Sequence, residues 1–158
     1  MNAQNTYPKS PTVSSFQVTM EIRLCDPAAK MPYKKRKTDA GYDISSIETI
    51  VLPPQTATVV HTGICLSAPP GFYYTIEGRS SLWSKGIFPN CGIIDATFCG
   101  PVIVSLVNVS DAEYQIMAGD RIAQILIHRQ YDAAFNVVEE FSATYNQRGN
   151  EGFGSTGR

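Results

Sequence analysis

Val18, Met20, Ile22 and Leu24 fall on one side of an extended backbone, and Thr19, Glu21 and Arg23 fall on the other. That two-residue period is the mark of a strand with one buried face. Segments of the same character recur at 42–45, 49–52, 56–66, 72–77, 102–107, 113–117 and 121–128. Pro53-Pro54, Pro69-Pro70-Gly71, Ser110-Asp111 and Ala118-Gly119-Asp120 punctuate them with turn residues. So many short strands at this spacing predict an all-β fold: a sandwich, a jelly roll or a barrel. The only helical stretch the pattern supports is one or two turns at 80–85. No internal repeat and no domain linker interrupts the series.

Composition adds little to the pattern but excludes much. A chain of 158 residues with 43% hydrophobic content and a net charge of −1 fits one domain with a real core, and no charge excess points to nucleic acid or a membrane surface. No run of about 18 apolar residues is available to span a bilayer. The polar residues 1–16, with Pro8 and Pro11, are expected to form a disordered arm before a β core at 17–146. With no apolar run of signal-peptide length, an intracellular place is expected, cytoplasmic or nuclear. Cys25, Cys65, Cys91 and Cys99 form no C-x-x-C pair and lie mostly in apolar runs, so buried, reduced thiols are expected rather than a zinc site or a disulfide framework.

Four stretches carry candidate chemistry. In Gly92-Ile93-Ile94-Asp95-Ala96-Thr97-Phe98-Cys99-Gly100-Pro101 a tight reversal sets Asp95 three residues before Phe98, with glycines on both sides. Such a hairpin can offer backbone groups to a flat ligand, an aromatic to a ring and a carboxylate to a water; an ordinary core hairpin with a turn aspartate is the other reading. Thr38-Asp39-Ala40-Gly41-Tyr42-Asp43 follows the basic run Lys34-Lys35-Arg36-Lys37, better taken as a solvated loop than as a localisation signal, and leads Asp43 into a strand. Glu77-Gly78-Arg79-Ser80-Ser81-Leu82 gathers a guanidinium and two hydroxyls at a strand end, which suits a phosphate, although a serine cap beside a surface arginine would look the same. Residues 147–158 hold four glycines, one aromatic, two hydroxyls and two arginines, a composition that builds no core. They are expected to be a flexible arm, either inert or closing over a ligand.

Taken together, and in order, these four stretches and Gly119 to Gln124 resemble the five motifs of the trimeric dUTPase family over roughly residues 18–157. Ala40-Gly41-Tyr42-Asp43 resembles motif one, Gly78 to Leu82 motif two, Gly92 to Gly100 motif three, Gly119-Asp120-Arg121-Ile122-Ala123-Gln124 motif four, and Arg148 to Gly157 motif five. The resemblance implies a jelly-roll-like β-clip fold and hydrolysis of dUTP to dUMP and pyrophosphate, limiting uracil in DNA and supplying dUMP for dTTP synthesis. By the same resemblance Asp95 is the general base for water attack on the α-phosphorus, and Phe98, where the family usually has tyrosine, lies under the deoxyribose. Asn90, Gly92, Ile94 and Ile103 belong to the substrate pocket in and around motif three, whose backbone reads uracil. Arg79, Ser80 and Gln124 match the family's triphosphate contacts, with Ser81 also in the substrate-binding set. Arg148, Phe153, Gly154, Ser155 and Thr156 form the closing arm, with Phe153 stacked on the base. Mg2+ is implied as cofactor, held by the phosphates and reached by Asp43 only through water. A homotrimer with sites shared between subunits is implied as well, with no membrane or direct nucleic-acid partner.

Departures from the family pattern are Ser81 for a glycine, Thr97 for an acidic residue and Cys99 for a basic or polar one. Gly-Arg-Ser-Ser-Leu also resembles the dCTP deaminases of the same fold. Those need a glutamate ten residues after the motif-three aspartate, where this chain has Ser105. A dUTP-gated regulatory binding protein is the alternative from a different class.

Overall fold

The computed structural model describes residues 17–90 and 92–142. Among them the elements run β1 (Glu21–Leu24), β2 (Tyr42–Ser45), β3 (Ile50–Leu52), β4 (Thr56–Ser67), β5 (Phe72–Glu77), α1 (Ser80–Trp83), β6 (Ile87–Pro89), β7 (Ile93–Ile94), β8 (Pro101–Asn108), β9 (Tyr114–Ile116) and β10 (Arg121–Arg129). The protein is thus nearly all β with one short helix, as the alternating pattern predicts. Two four-stranded antiparallel sheets, ordered β1-β4-β8-β6 and β2-β10-β5-β7, are joined by a small β3-β9 pair.

Alternation decides which face goes inward. In β4, Val60, Thr62, Ile64 and Leu66 are buried; in β8, Val102, Val104, Leu106 and Asn108. Tyr74 and Ile76 of β5 and Ile122, Ala123 and Ile125 of β10 meet them in one core. Each such aliphatic side chain contributes about 1.5–3 kcal/mol on burial. Asn108 is admitted because its amide donates to the carbonyls of Leu52 and Ala112, 2.9 and 2.8 Å away.

Three differences from the sequence pattern are instructive. The alternation at 18–24 yields a strand only over Glu21–Leu24, and although Met20 and Ile22 pack on the core, Leu24 stays half exposed because β1 is the sheet edge. The edge strand β6 escapes the pattern because it is three residues long and ends in Pro89, a residue that sheets accept at their edges. The thiols are not buried as expected: Cys25 and Cys99 are exposed and Cys65 is partly so, while Cys91 lies outside the described residues.

Candidate active site

A bulge on β10 creates the first cluster. Arg121 pairs with Ser45, but Ala123, not Ile122, pairs with Ile44, and Gln124 then pairs with Asp43. One extra residue on β10 lets Ile122 and Ala123 both turn inward and brings Arg121 and Gln124 to the same outward face despite their odd spacing. Asp43 lies on that face between two guanidiniums. Arg79 Nε donates to its Oδ1 at 2.9 Å and Arg121 Nη1 to its Oδ2 at 3.0 Å. Arg79 Nη1 also donates to the Arg121 carbonyl at 2.9 Å, and Arg121 Nη1 to the Tyr33 hydroxyl at 3.1 Å. Gln124 Nε2 donates to the Gly78 carbonyl at 2.9 Å. Gly41 is needed here for space, because a Cβ on it would lie 2.9 Å from the Gln124 Cδ.

Arg79 is extended (φ −106°, ψ 133°) and α1 starts at the next residue, so Ser80 and Ser81 stand exposed on its first turn beside the clamp. Two guanidiniums against one carboxylate leave one positive charge in excess at a partly buried surface, next to two hydroxyls and an amide. Such a surface suits phosphate oxygens. Both Asp43 oxygens already accept from arginines, so this carboxylate is neutralised and fit to order water rather than to bind a cation directly. Among the described residues no three His, Cys, Asp or Glu side chains gather where they would hold a metal ion.

The second cluster is the β7–β8 reversal. Phe98 N–H closes the turn on the Asp95 carbonyl at 3.4 Å, and Thr97 sits at φ 66°, a left-handed conformation that a β-branched residue adopts at a cost. Its N–H donates to the Ala68 carbonyl at 3.1 Å, which anchors the turn to the segment after β4. Phe98 lies over Gly100, where a Cβ would stand 2.6 Å from its ring, and half the side chain faces solvent. Gly92, by contrast, has open space around the position of a Cβ, and its carbonyl accepts from Ile76 N–H at 3.2 Å. Asp95 is exposed and lines a recess of about 430 Å³ with Tyr73, Ile93, Ala96 and Gln130. Ile93 and Ile103 are exposed nearby in sequence, at 72% and 47%, Ile94 is half buried, and Asn90 is exposed with its N–H on the Ser105 carbonyl at 2.7 Å. Ser105 itself stands in β8, where a deaminase would need its glutamate.

The two clusters do not meet within one chain. β7 and β2 are opposite edges of a four-stranded sheet, and Asp95, continuing β7, faces Tyr73 while Asp43 is level with Glu77. Three interstrand spacings of ~4.8 Å and four residues at ~3.4 Å separate Asp95 from Asp43 by roughly 20 Å. Residues 130–142 add a second incompleteness: among the described residues Tyr131, Phe135, Val137 and Phe141 are 73–103% exposed. Arg148, Phe153, Gly154, Ser155 and Thr156 lie outside the described residues. Sequence reasoning missed Arg121 and Tyr33 as partners of the clamp; the arginine following Asp120 was visible in motif four, whereas Tyr33 carries no motif at all.

An all-β body with a guanidinium-clamped aspartate on one sheet edge and a carboxylate-bearing hairpin on the other defines a class, and the comparisons give the family. Residues 28–157 match the dUTPase family model. The deoxyuridine 5'-triphosphate nucleotidohydrolase of Kluyveromyces lactis is 38% identical over 146 residues, covering 91% of this chain and 97% of the relative. The enzyme of the same name from Arabidopsis thaliana is 36% identical over 145 residues, 91% and 86% of the two chains. The dUTPase of Staphylococcus bacteriophage 80alpha, as a G164S mutant with dUpNHpp, superposes with a TM-score of 0.80 at 32% identity, over 89% of this chain and 99% of that one. The chain belongs to the dUTPase family.

Proposed function

We propose that this chain hydrolyses dUTP to dUMP and pyrophosphate, limiting uracil in DNA and supplying dUMP, in a homotrimer whose active sites are shared between subunits. The observation that carries the shared site is the separation of roughly 20 Å between Asp95 and the Arg79–Asp43–Arg121 cluster within one chain. Neither half is complete alone. A second copy that brings its Arg79, Ser80, Ser81 and Gln124 against the Asp95 hairpin of the first would surround one triphosphate with positive charge and place a carboxylate at its α-phosphorus. The exposed apolar side chains of 130–142 are what a segment crossing to another copy would carry.

In this reading Asp95 accepts the proton of a water as its oxygen bonds to the α-phosphorus, and the bond to the bridging oxygen of pyrophosphate breaks. Positioned bases of this kind contribute about 10²- to 10⁴-fold. The guanidinium of Arg79, held by Asp43, neutralises phosphate oxygens without having to reorganise as charge develops. Mg2+ carried on the three phosphates would supply further neutralisation, and Asp43, with both oxygens engaged, would touch its water shell only. A related phage phi11 dUTPase, D95N mutant, coordinates a structural Mg(II) ion. Phe98 forms the floor under the sugar and excludes a 2′-hydroxyl by contact, so the absence of a phenolic hydroxyl changes little. The backbone around Gly92, Ile94 and Ile103 reads the uracil edge, and Phe153 of the arm stacks on its face.

Pyrophosphate release from a panel of nucleoside triphosphates with magnesium tests the reading. dUTP is expected to exceed dTTP, dCTP and UTP strongly. Ammonia release from dCTP would convert the assignment to a deaminase.

A further inference from the structure

Just beyond the end of β1, Cys25 N–H donates to the Gly63 carbonyl at 2.7 Å and extends the β1–β4 ladder by one step. Cys65, two residues further along β4, projects from the same face, because its direct partner Arg23 is also two residues from Cys25. The two Sγ atoms are 3.2 Å apart, and both residues are free thiols. Cys25 is exposed. A recess of about 380 Å³, lined by Arg23, Leu66 and Cys99 among others, opens on Cys65. We propose that Cys25 and Cys65 form an oxidation site, at which a hydroperoxide converts the thiol pair into a disulfide that ties the edge strand β1 to β4.

The step balances without any other reactant. Cys25, as thiolate, attacks the terminal oxygen of the hydroperoxide; the O–O bond breaks, the alcohol leaves with a proton, and Cys25 becomes a sulfenic acid. The Cys65 sulfur then attacks that sulfur, the S–S bond forms, and the hydroxyl departs with the Cys65 proton as water. Two electrons pass from the thiols to the peroxide. The order of events follows from the surroundings. Exposed Cys25 meets oxidant first, while the Cys65 thiol is held above its ordinary range, first by the hydrogen shared with Cys25 and then by burial, with Arg23 opposing. Cys99 lines the same recess from the Phe98 hairpin but lacks the sulfur contact that Cys25 makes, and the proposal assigns it no part in the bridge.

The test is treatment of the full chain with hydrogen peroxide, alkylation of the remaining thiols, and mass mapping of unreduced peptides. Two of the four thiols should be lost, with one linked pair, Cys25–Cys65, that dithiothreitol reverses. Cys99→Ser should form the same link. In Cys65→Ser, Cys25 should instead accumulate as a sulfenic acid trapped by dimedone, and dUTP turnover of the untreated variant should match the parent, which also shows that it folds. A bridge between Cys65 and Cys99, links only between chains, or Cys25 and Cys65 remaining alkylatable while Cys99 oxidises would each overturn the proposal.

Discussion

The clamp around Asp43 and the hairpin around Asp95 are built in opposite ways. Asp43, Arg79 and Arg121 satisfy one another inside a single chain, and Gln124 beside them donates to the Gly78 carbonyl; Asp43 lies on the edge strand β2, Arg121 and Gln124 on the inner strand β10, and Arg79 just before α1. Asp95, Phe98 and Ile93 stand at the other edge, exposed, on a turn closed by the Phe98 N–H on the Asp95 carbonyl and anchored by the Thr97 N–H on the Ala68 carbonyl. The clamp is ordered by the fold of the chain itself, whereas the Asp95 carboxylate stands in the open, as the proposed shared site requires. The largest effect should therefore come from separating the two. Asp95→Asn with its arm intact should lose turnover by about 10² or more while still binding dUTP. A chain ending at Gln147 should be nearly inactive as well. Refolded together, the two should regain activity, because some sites then combine one chain's Asp95 with the other's arm. No recovery in verified mixed trimers would break the comparison by placing arm and Asp95 on one subunit.

Disturbing the clamp should have a smaller effect of a different kind. Asp43→Asn removes the charge between Arg79 and Arg121 and leaves one oxygen to accept from one of them while an NH2 faces the other, so thermal unfolding should show a loss of about 1–3 kcal/mol. Freed from its anchor, Arg79 should hold the triphosphate less well, and KM should rise more than kcat falls. An unchanged melting temperature would mean that the clamp is not the rigid half.

Much of this was legible in the sequence, and the failures have physical reasons. Alternation in Thr56–Ser67 and Pro101–Asn108 fixes which side chains enter the core, so the strands could be read one residue at a time. A bulge breaks that rule: nothing in Arg121-Ile122-Ala123-Gln124 says that two consecutive residues turn inward, and only the pairing with β2 reveals that Arg121 joins the clamp. Asp43 was legible as a motif residue but not as the acceptor of two arginines, since 36 and 78 residues separate it from Arg79 and Arg121. The cysteines were misjudged because an apolar sequence neighbourhood does not say which way a residue faces: Cys65 lies on the inner strand β4 but on its outward side, between buried Ile64 and Leu66, Cys25 just past the edge strand β1, and Cys99 on the loop before β8.

Phe98→Ala sharpens the hairpin side. Its ring, laid over Gly100, is half exposed and contributes little to the core, so stability should change by under about 1 kcal/mol. The ratio of kcat/KM for dUTP over UTP should fall several-fold as room opens for a 2′-hydroxyl. An unchanged ratio would move sugar selection to another group.

The smallest effect on activity, none at pH 7, concerns the floor beneath the hairpin. Tyr74 is fully buried, pairs with Ile94 of β7 through the backbone, and donates its hydroxyl to the Leu66 carbonyl at 3.2 Å, joining the two sheets behind Asp95. Burial pushes its ionisation from the ordinary 10.0 up to about 12. Below pH 10 both folded and unfolded chains hold the proton and the stabilisation is complete; as pH rises from 10 towards 12 only the unfolded chain gives it up. Stability should therefore fall by up to about 1.4 kcal/mol per pH unit across that window, about 2–3 kcal/mol in all. Tyr74→Phe should remove this alkaline slope and lose about 1 kcal/mol at neutral pH with the hydrogen bond, while turnover at pH 7 stays at the parent level. Denaturant unfolding at a series of pH values measures both. A slope that persists in Tyr74→Phe would show that another buried group titrates there, and a fall in neutral-pH turnover would show that the hairpin draws its position from the sheet floor rather than from its own turn.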